Sequence, residues 1–120
     1  MFTIPAAHGR EAHPWDPDDR FRQYSVASQE LVERGLTLYA QGNVSEALFA
    51  FFQFLGREPG SPLGHYLCGL ALQALGLGWE ARAEWRMVLT LTTEERAASA
   101  DVEGWVRGMA RRLLTQEADD

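Results

Sequence analysis

The sequence predicts an all-α chain of antiparallel helical hairpins, and three observations carry that prediction. Apolar residues recur at helical rather than alternating spacing, so no segment reads as a strand. Glycine and proline interrupt the pattern at short intervals, leaving turns too brief for anything but antiparallel neighbours. Sliding the chain by 34 residues superimposes Gly35 on Gly69, Leu36 on Leu70, Leu38 on Leu72, Ala40 on Ala74, Gly42 on Gly76, Glu46 on Glu80, Ala47 on Ala81 and Leu55 on Leu89, with Phe51 falling on Trp85. Those matches occupy the small and apolar positions of two successive hairpins.

Residues 1–16, proline-broken and without period, read as an extended arm. At Asp16 an N-cap followed by Pro17 and acidic residues predicts a helix start, because proline suits the first helical position and acids complement the dipole. Phe21, Tyr24, Ala27, Leu31, Gly35 and Leu38 continue at helical spacing, with a break near Ser25 to Ser28, as far as Gln41, where Gly42 stops the helix. Asn43 and Glu46 have capping-box spacing and open a second helix to about Arg57, ended by Glu58-Pro59-Gly60. Ser61 before Pro62 starts a third, which ends in Leu75 to Gly78; a fourth runs from about Trp79 to Leu91. Thr92 and Glu95 again have capping-box spacing, predicting a last helix over 93–115 and a frayed tail over 116–120.

A helix-turn-helix period of 34 residues is the signature of tetratricopeptide repeats, and the chain resembles that family over residues 28–95. Repeats of 28–61 and 62–95 place Gly35 and Gly69 at the family's small eighth position, Ala47 and Ala81 at its twentieth, and Phe51 and Trp85 at its aromatic twenty-fourth. Pro59 matches the terminal proline of repeat one, and Thr93 departs from it in repeat two; Leu31 and His65 replace the family's fourth-position tryptophan, Arg34 and Cys68 its seventh-position leucine. The fold implied is a short α-solenoid of the tetratricopeptide type, residues 17–115, closed by a solvating C-terminal helix. Steric logic supports the pattern: small residues let two helices approach, and the ring fills the gap.

The resemblance also implies where a partner would bind, in a concave groove lined by the first helix of each repeat. Matching positions are Gln29, Val32, Leu36 and Tyr39 in repeat one and Leu63, Tyr66, Leu70 and Gln73 in repeat two, a largely apolar wall. The lysine and asparagine clamp that some members use for a terminal carboxylate is replaced by Val32, Leu36, Leu67, Ala97 and Asp101, so a hydrophobic helix or extended segment suits the groove better. The competing occupant is the chain itself, through its arm or its last helix, since two repeats bury little alone.

The run from Phe49 to Phe54 holds four phenylalanines. At about 100° per residue, Ala47, Leu48, Phe51, Phe54 and Leu55 share one face, whereas Phe49 points almost opposite and Phe52 lies at the edge. Phe49 and Phe52 therefore form a second apolar surface, to be covered by the arm with Trp15 and Phe21 or by another protein. Ala100, Gly104 and Gly108, spaced by four, permit a close helix contact, either on the fourth helix or in a homodimer.

Composition bounds the chemistry. One domain is expected of 120 residues, 46% hydrophobic and 23% charged. A net charge of -6 repels nucleic acid; the only basic cluster noted is Arg107, Arg111 and Arg112. All eleven basic residues are arginine, which removes P-loop and Schiff-base lysine chemistry. Apolar stretches are too short to cross a bilayer, and the single Cys68 suits a reducing, cytoplasmic setting as an inert buried thiol. His8, His13, Asp16, Asp18 and Asp19 lie close in sequence without the spacing of a closed metal site, so no metal or cofactor is expected. His65 reads as a packing or partner-facing residue rather than a base, with no serine, cysteine or acid where a catalytic pairing could be argued. The expectation is a non-catalytic protein-interaction module, an adaptor or assembly factor, with a small bacterial secretion or assembly chaperone as the alternative and an enzyme or metal-dependent regulator as the remote one.

Overall fold

A computed structural model describes residues 24–92 and 102–119. They form helices α1 (Val26–Ala40), α2 (Val44–Arg57), α3 (Pro62–Ala74), α4 (Gly78–Leu91) and α5 (Val102–Asp119), with no strand among the described residues. α1 packs on α2, α3 on both α2 and α4, and α5 on α4 and α3. The architecture is all-α, built from two antiparallel hairpins and a last helix.

The two hairpins repeat in backbone as well as in sequence. α2 and α4 are both 14 residues long, offset by 34 at each end. Gly42 and Gly76 hold φ of 87° and 84°, a left-handed conformation that side-chain-bearing residues adopt at a cost. Around them the same hydrogen bonds recur: Gly42 N donates to Tyr39 O and Asn43 N to Leu38 O, as Gly76 N does to Gln73 O and Leu77 N to Leu72 O. This is a Schellman closure in both turns. It also explains why the capping box expected of Asn43 and Glu46 is not formed: Asn43 makes no side-chain cap, and its backbone N–H, which Glu46 would need, is already donated to Leu38.

The packing follows the steric logic of the repeat. A Cβ added to Gly35 would sit 2.6 Å from Phe51 Cδ1, and one added to Gly69 would sit 2.6 Å from Trp85 Cδ1. Each aromatic thus lies directly on the glycine of the facing helix. Phe51, Phe54, Ala47, Trp85, Ala81 and Val88 are buried, as are Leu63, Tyr66, Leu67 and Cys68 on α3. Ala50 joins them. At the far end Val102, Val106 and Ala110 of α5 close the core.

Several boundaries differ from expectation. α1 begins at Val26, its N-cap Ser25 accepting from Ser28 N at 3.1 Å; Asp16, Pro17 and Phe21 lie outside the described residues. The break at Ser25 puts Tyr24 ahead of the helix, where it is buried, and turns Ala27 to solvent, so the buried stripe of α1 is Ser28, Val32 and Gly35. Tyr24 meets Phe54 edge-on at 5.1 Å and shares a 3.0 Å hydrogen bond with the buried Ser61 hydroxyl, pinning the start of α1 to the α2–α3 junction. Ser61 and Pro62 start α3 as expected, Ser61 Oγ accepting from Gly64 N. Glu95 is outside the described residues, and Thr92 uses its hydroxyl on α4, donating to Val88 O at 2.8 Å. Residues 116–119, expected as a frayed tail, are helical, because α5 runs to Asp119.

Candidate interaction surfaces

Three of the eight residues inferred to line a groove on the first helix of each repeat are interior. Val32, Leu63 and Tyr66 are buried, at 0%, 1% and 4% exposure. Tyr66 lies beneath Trp105 of α5, ring centroids 5.5 Å apart and nearly perpendicular. Gln29 is half-buried and donates its amide to Tyr24 O at 2.8 Å. Val32, Leu63 and Tyr66 are packing residues, which corrects their assignment as partner contacts: Trp105 of α5 lies over Tyr66, and Gln29 is engaged by the Tyr24 backbone. Leu36 and Gln73 remain exposed, with Tyr39 and Leu70 half-buried.

Most of the large exposed apolar side chains lie on the second helices and the turn before α4, with Val26, at 69% exposure, and Leu36 on α1. Phe49 is 65% exposed and Phe52 44%, while Trp79 reaches 82%. Met87, Leu91, Leu75 and Leu77 are exposed as well. Phe49 rims a hollow of about 300 Å³ between α1 and α2, lined by Arg34, Leu38, Ser45, Glu46, Ala50 and Gln53. Reading Phe49 and Phe52 as surface and Phe51 and Phe54 as core therefore matches the burial along α2.

The repeat supplies an internal control for these residues. Shifted by 34, Phe49 and Phe52 correspond to Ala83 and Arg86; Trp79 and Met87 correspond to Ser45 and Gln53; Leu75 and Leu77 correspond to Gln41 and Asn43. The same backbone is thus built once with polar or small side chains and once with large apolar ones. Nothing in the hairpin requires the apolar version. Leu36 differs, since its counterpart is the leucine Leu70, and a repeated residue at a repeated position reads as packing.

The row of Ala100, Gly104 and Gly108 is not a single surface. Ala100 lies outside the described residues, Gly104 is buried, and Gly108 is exposed with nothing within 4 Å of an added Cβ. His8, His13, Asp16, Asp18 and Asp19 also lie outside the described residues, among which no group of three or more histidine, cysteine or acidic side chains is placed to hold a metal ion. No described helix is long and apolar enough to cross a membrane.

Three polar arrangements were missed in the sequence. His65 does have an acid beside it: Nδ1 lies 2.7 Å from Glu84 Oε1 across the α3–α4 hairpin, and Nε2 lies 3.3 Å from Pro59 O. Both ring nitrogens face acceptors, so the doubly protonated ring satisfies both. The bond to Glu84 raises the His65 pKa above the ordinary 6.5, against the opposing effect of burial. Cys68, one turn along, is fully buried, and its thiol is pushed up to about 12, chiefly by desolvation, which leaves it protonated and unreactive. Arg107, noted only as part of a basic cluster, donates from Nη1 to Leu89 O, Thr92 O and Thr92 Oγ1 at 3.0–3.1 Å. It caps the C-terminus of α4, where a cation also suits the helix dipole. Ser28, fully buried, donates to Glu58 Oε2 at 2.8 Å and accepts from Arg57 Nε at 3.1 Å, tying the start of α1 to the end of α2. Spacing in the sequence gave no signal for these contacts, which span 15 to 30 residues.

Comparison of the chain with family models, with curated proteins and with solved structures found no match.

Proposed function

We propose that this chain is a non-catalytic protein-interaction module of the tetratricopeptide type, and that it binds through the outward faces of α2 and α4 rather than through the groove of α1 and α3. The observation that carries this reading is the internal control: Phe49, Phe52, Trp79 and Met87 stand exposed at positions where the other hairpin carries Ala83, Arg86, Ser45 and Gln53. An exposed side chain that the fold does not need, and that brings an aggregation hazard, is best accounted for by a partner. A binding rather than catalytic role agrees with the chemistry of the likeliest reactive groups. The His65 ring is held at both nitrogens, and the Cys68 thiol is buried and far from ionisation.

The test is a variant in which each exposed apolar residue is replaced by its counterpart, Phe49→Ala, Phe52→Arg, Trp79→Ser and Met87→Gln. It keeps the wild-type melting temperature within a few degrees, since surface changes of this kind cost within about 0.5 kcal/mol each. The same variant loses the bound protein that crosslinks to the wild type in cells. Retention of that protein, or an unfolded variant, overturns the reading.

A further inference from the structure

We propose that protonated His65 locks the joint between the two hairpins, and that loss of its proton releases the α2–α3 turn at Pro59 while each hairpin stays folded.

The joint is the short turn of residues 58–61, and it is held from two sides. From the α1 side, Tyr24 shares a 3.0 Å hydrogen bond with the Ser61 hydroxyl, and Ser28 donates to the Glu58 carboxylate at 2.8 Å. From the α4 side the tie runs through His65, whose Nδ1 lies 2.7 Å from Glu84 Oε1 and whose Nε2 lies 3.3 Å from Pro59 O. Proline has no N–H, so the carbonyl bond to His65 is the one hydrogen bond Pro59 makes among the described residues. The first hairpin has no such arrangement: Leu31, Ala50 and Ser25 stand where the second has His65, Glu84 and Pro59. The repeat therefore folds without it.

The chemistry of the ring decides where the release falls. Imidazolium donates from both nitrogens and serves both acceptors, whereas the neutral ring keeps one N–H. Glu84 is the nearer acceptor and a carboxylate, which holds a donor about twice as strongly as a neutral carbonyl does. The remaining hydrogen is therefore on Nδ1, and Nε2 turns a lone pair toward the Pro59 oxygen. Two acceptors then face each other across 3.3 Å, so the turn gives way at Pro59 and not at Glu84. The other charged groups around the joint are Arg57 and Glu58, both bonded to Ser28, and Glu103 of α5, which lines a hollow with Tyr24, Glu58, Pro59, Gly60 and Ser61. On α3 itself, Cys68 is a neutral thiol. Glu84 is the charged group that acts on the ring, and its bond raises the His65 pKa above 6.5. The joint is thus fully locked below pH 6.5 and opens as pH rises through the folded-state value.

The experiment is NMR on the full chain from pH 5.5 to 8.5, reading the ring nitrogens of His65 and the protection of backbone amides against hydrogen exchange, corrected for the intrinsic pH dependence of exchange. The His65 signals are those lost in His65→Leu, which installs the residue of the first hairpin. The ring titrates above 6.5 and leaves the Nδ1–H tautomer at high pH. Across the same midpoint, protection of the Ser61, Gly64 and His65 amides, whose acceptors all lie in the turn, falls about tenfold, the weight of one hydrogen bond to a charged group. Protection of Gly76 and Leu77 in the other hairpin's turn is unchanged. Glu84→Gln, which keeps an acceptor but removes the charge, moves both the ring titration and the loss of protection to lower pH, and His65→Leu abolishes the pH dependence. An Nε2–H tautomer at high pH, a ring that titrates while the turn amides keep their protection, or a loss shared equally by Gly76 and Leu77 overturns the proposal. So does a midpoint that Glu84→Gln leaves in place.

Discussion

Replacing Gly69 by alanine puts the packing logic of the repeat at risk in one step. In an exposed helix the change stabilises by about 1 kcal/mol, because alanine loses less conformational entropy on folding. Here the new Cβ would lie 2.6 Å from Trp85 Cδ1, and closer still to Nε1 of the same ring. Trp85 is fully buried, with Nε1 donating to Tyr66 O at 3.4 Å, so the ring yields only by disturbing the core and that bond. Overpacking of this kind costs about 1–3 kcal/mol, and a weakened hydrogen bond of a buried N–H adds about 1. Against the propensity gain, the net is a destabilisation of about 2 kcal/mol, or a fall in Tm on the order of 10 °C for a domain of this size. Gly108→Ala is the matched control: it lies in α5 with nothing within 4 Å of the added carbon, so the propensity gain of up to about 1 kcal/mol appears alone. Urea denaturation of both variants gives the two signs directly. Equal or greater stability in Gly69→Ala refutes the claim that the glycine is there for the ring, whatever Gly108→Ala does.

Two further outcomes follow from the polar contacts. His65 has a folded-state pKa above its ordinary 6.5, so its pairing with Glu84 stabilises fully below that value and is lost as pH rises through the folded pKa; stability measured from pH 5.5 to 8.5 therefore declines by this contribution, and Glu84→Gln or His65→Gln flattens the decline. Arg107→Ala leaves the last carbonyls of α4 and the α5 packing without their charged donor, which costs about 1.5–3 kcal/mol in chemical denaturation, while Arg111→Ala, at an exposed position, serves as the comparison and costs less.

What was legible in the sequence is what local rules govern. The turns at Gly42 and Gly76 follow from left-handed backbone that glycine adopts freely, and the split of Phe49 and Phe52 from Phe51 and Phe54 follows from helical angle alone. The burial of Val32, Leu63 and Tyr66 within the candidate groove was missed for a different reason. Periodicity says which face of α1 and α3 a residue occupies, but not whether a distant element lies over that face. Tyr66 is covered by Trp105, 39 positions along the chain, and Gln29 is committed by the kink that places Tyr24 ahead of α1. No spacing rule reaches either contact. The Asn43 box failed through competition: its local pattern was sound, but the Schellman bond from the preceding helix had first claim on the same N–H.

The repeat divides the surface more sharply than burial does. Exposure by itself is weak evidence of function, because most of any folded surface is apolar. A second copy of the same hairpin within the chain changes that, since it shows what the fold accepts at each position without a partner. Leu36 and Leu70 agree, and their partial exposure needs no further account; Phe49 against Ala83 and Trp79 against Ser45 disagree, and in each pair the smaller residue demonstrates that the backbone stands without the larger one. The disagreements fall on both hairpins, mainly at outward positions of α2 and α4, Phe49 and Phe52 on the first and Trp79 and Met87 on the second, with Leu75 and Leu77 in the turn before α4 and Val26, against Gly60, at the start of α1. The clustering of most of them on α2, α4 and the turn before α4 supports the binding reading proposed above, in which partner contact rests on residues that contribute little to stability.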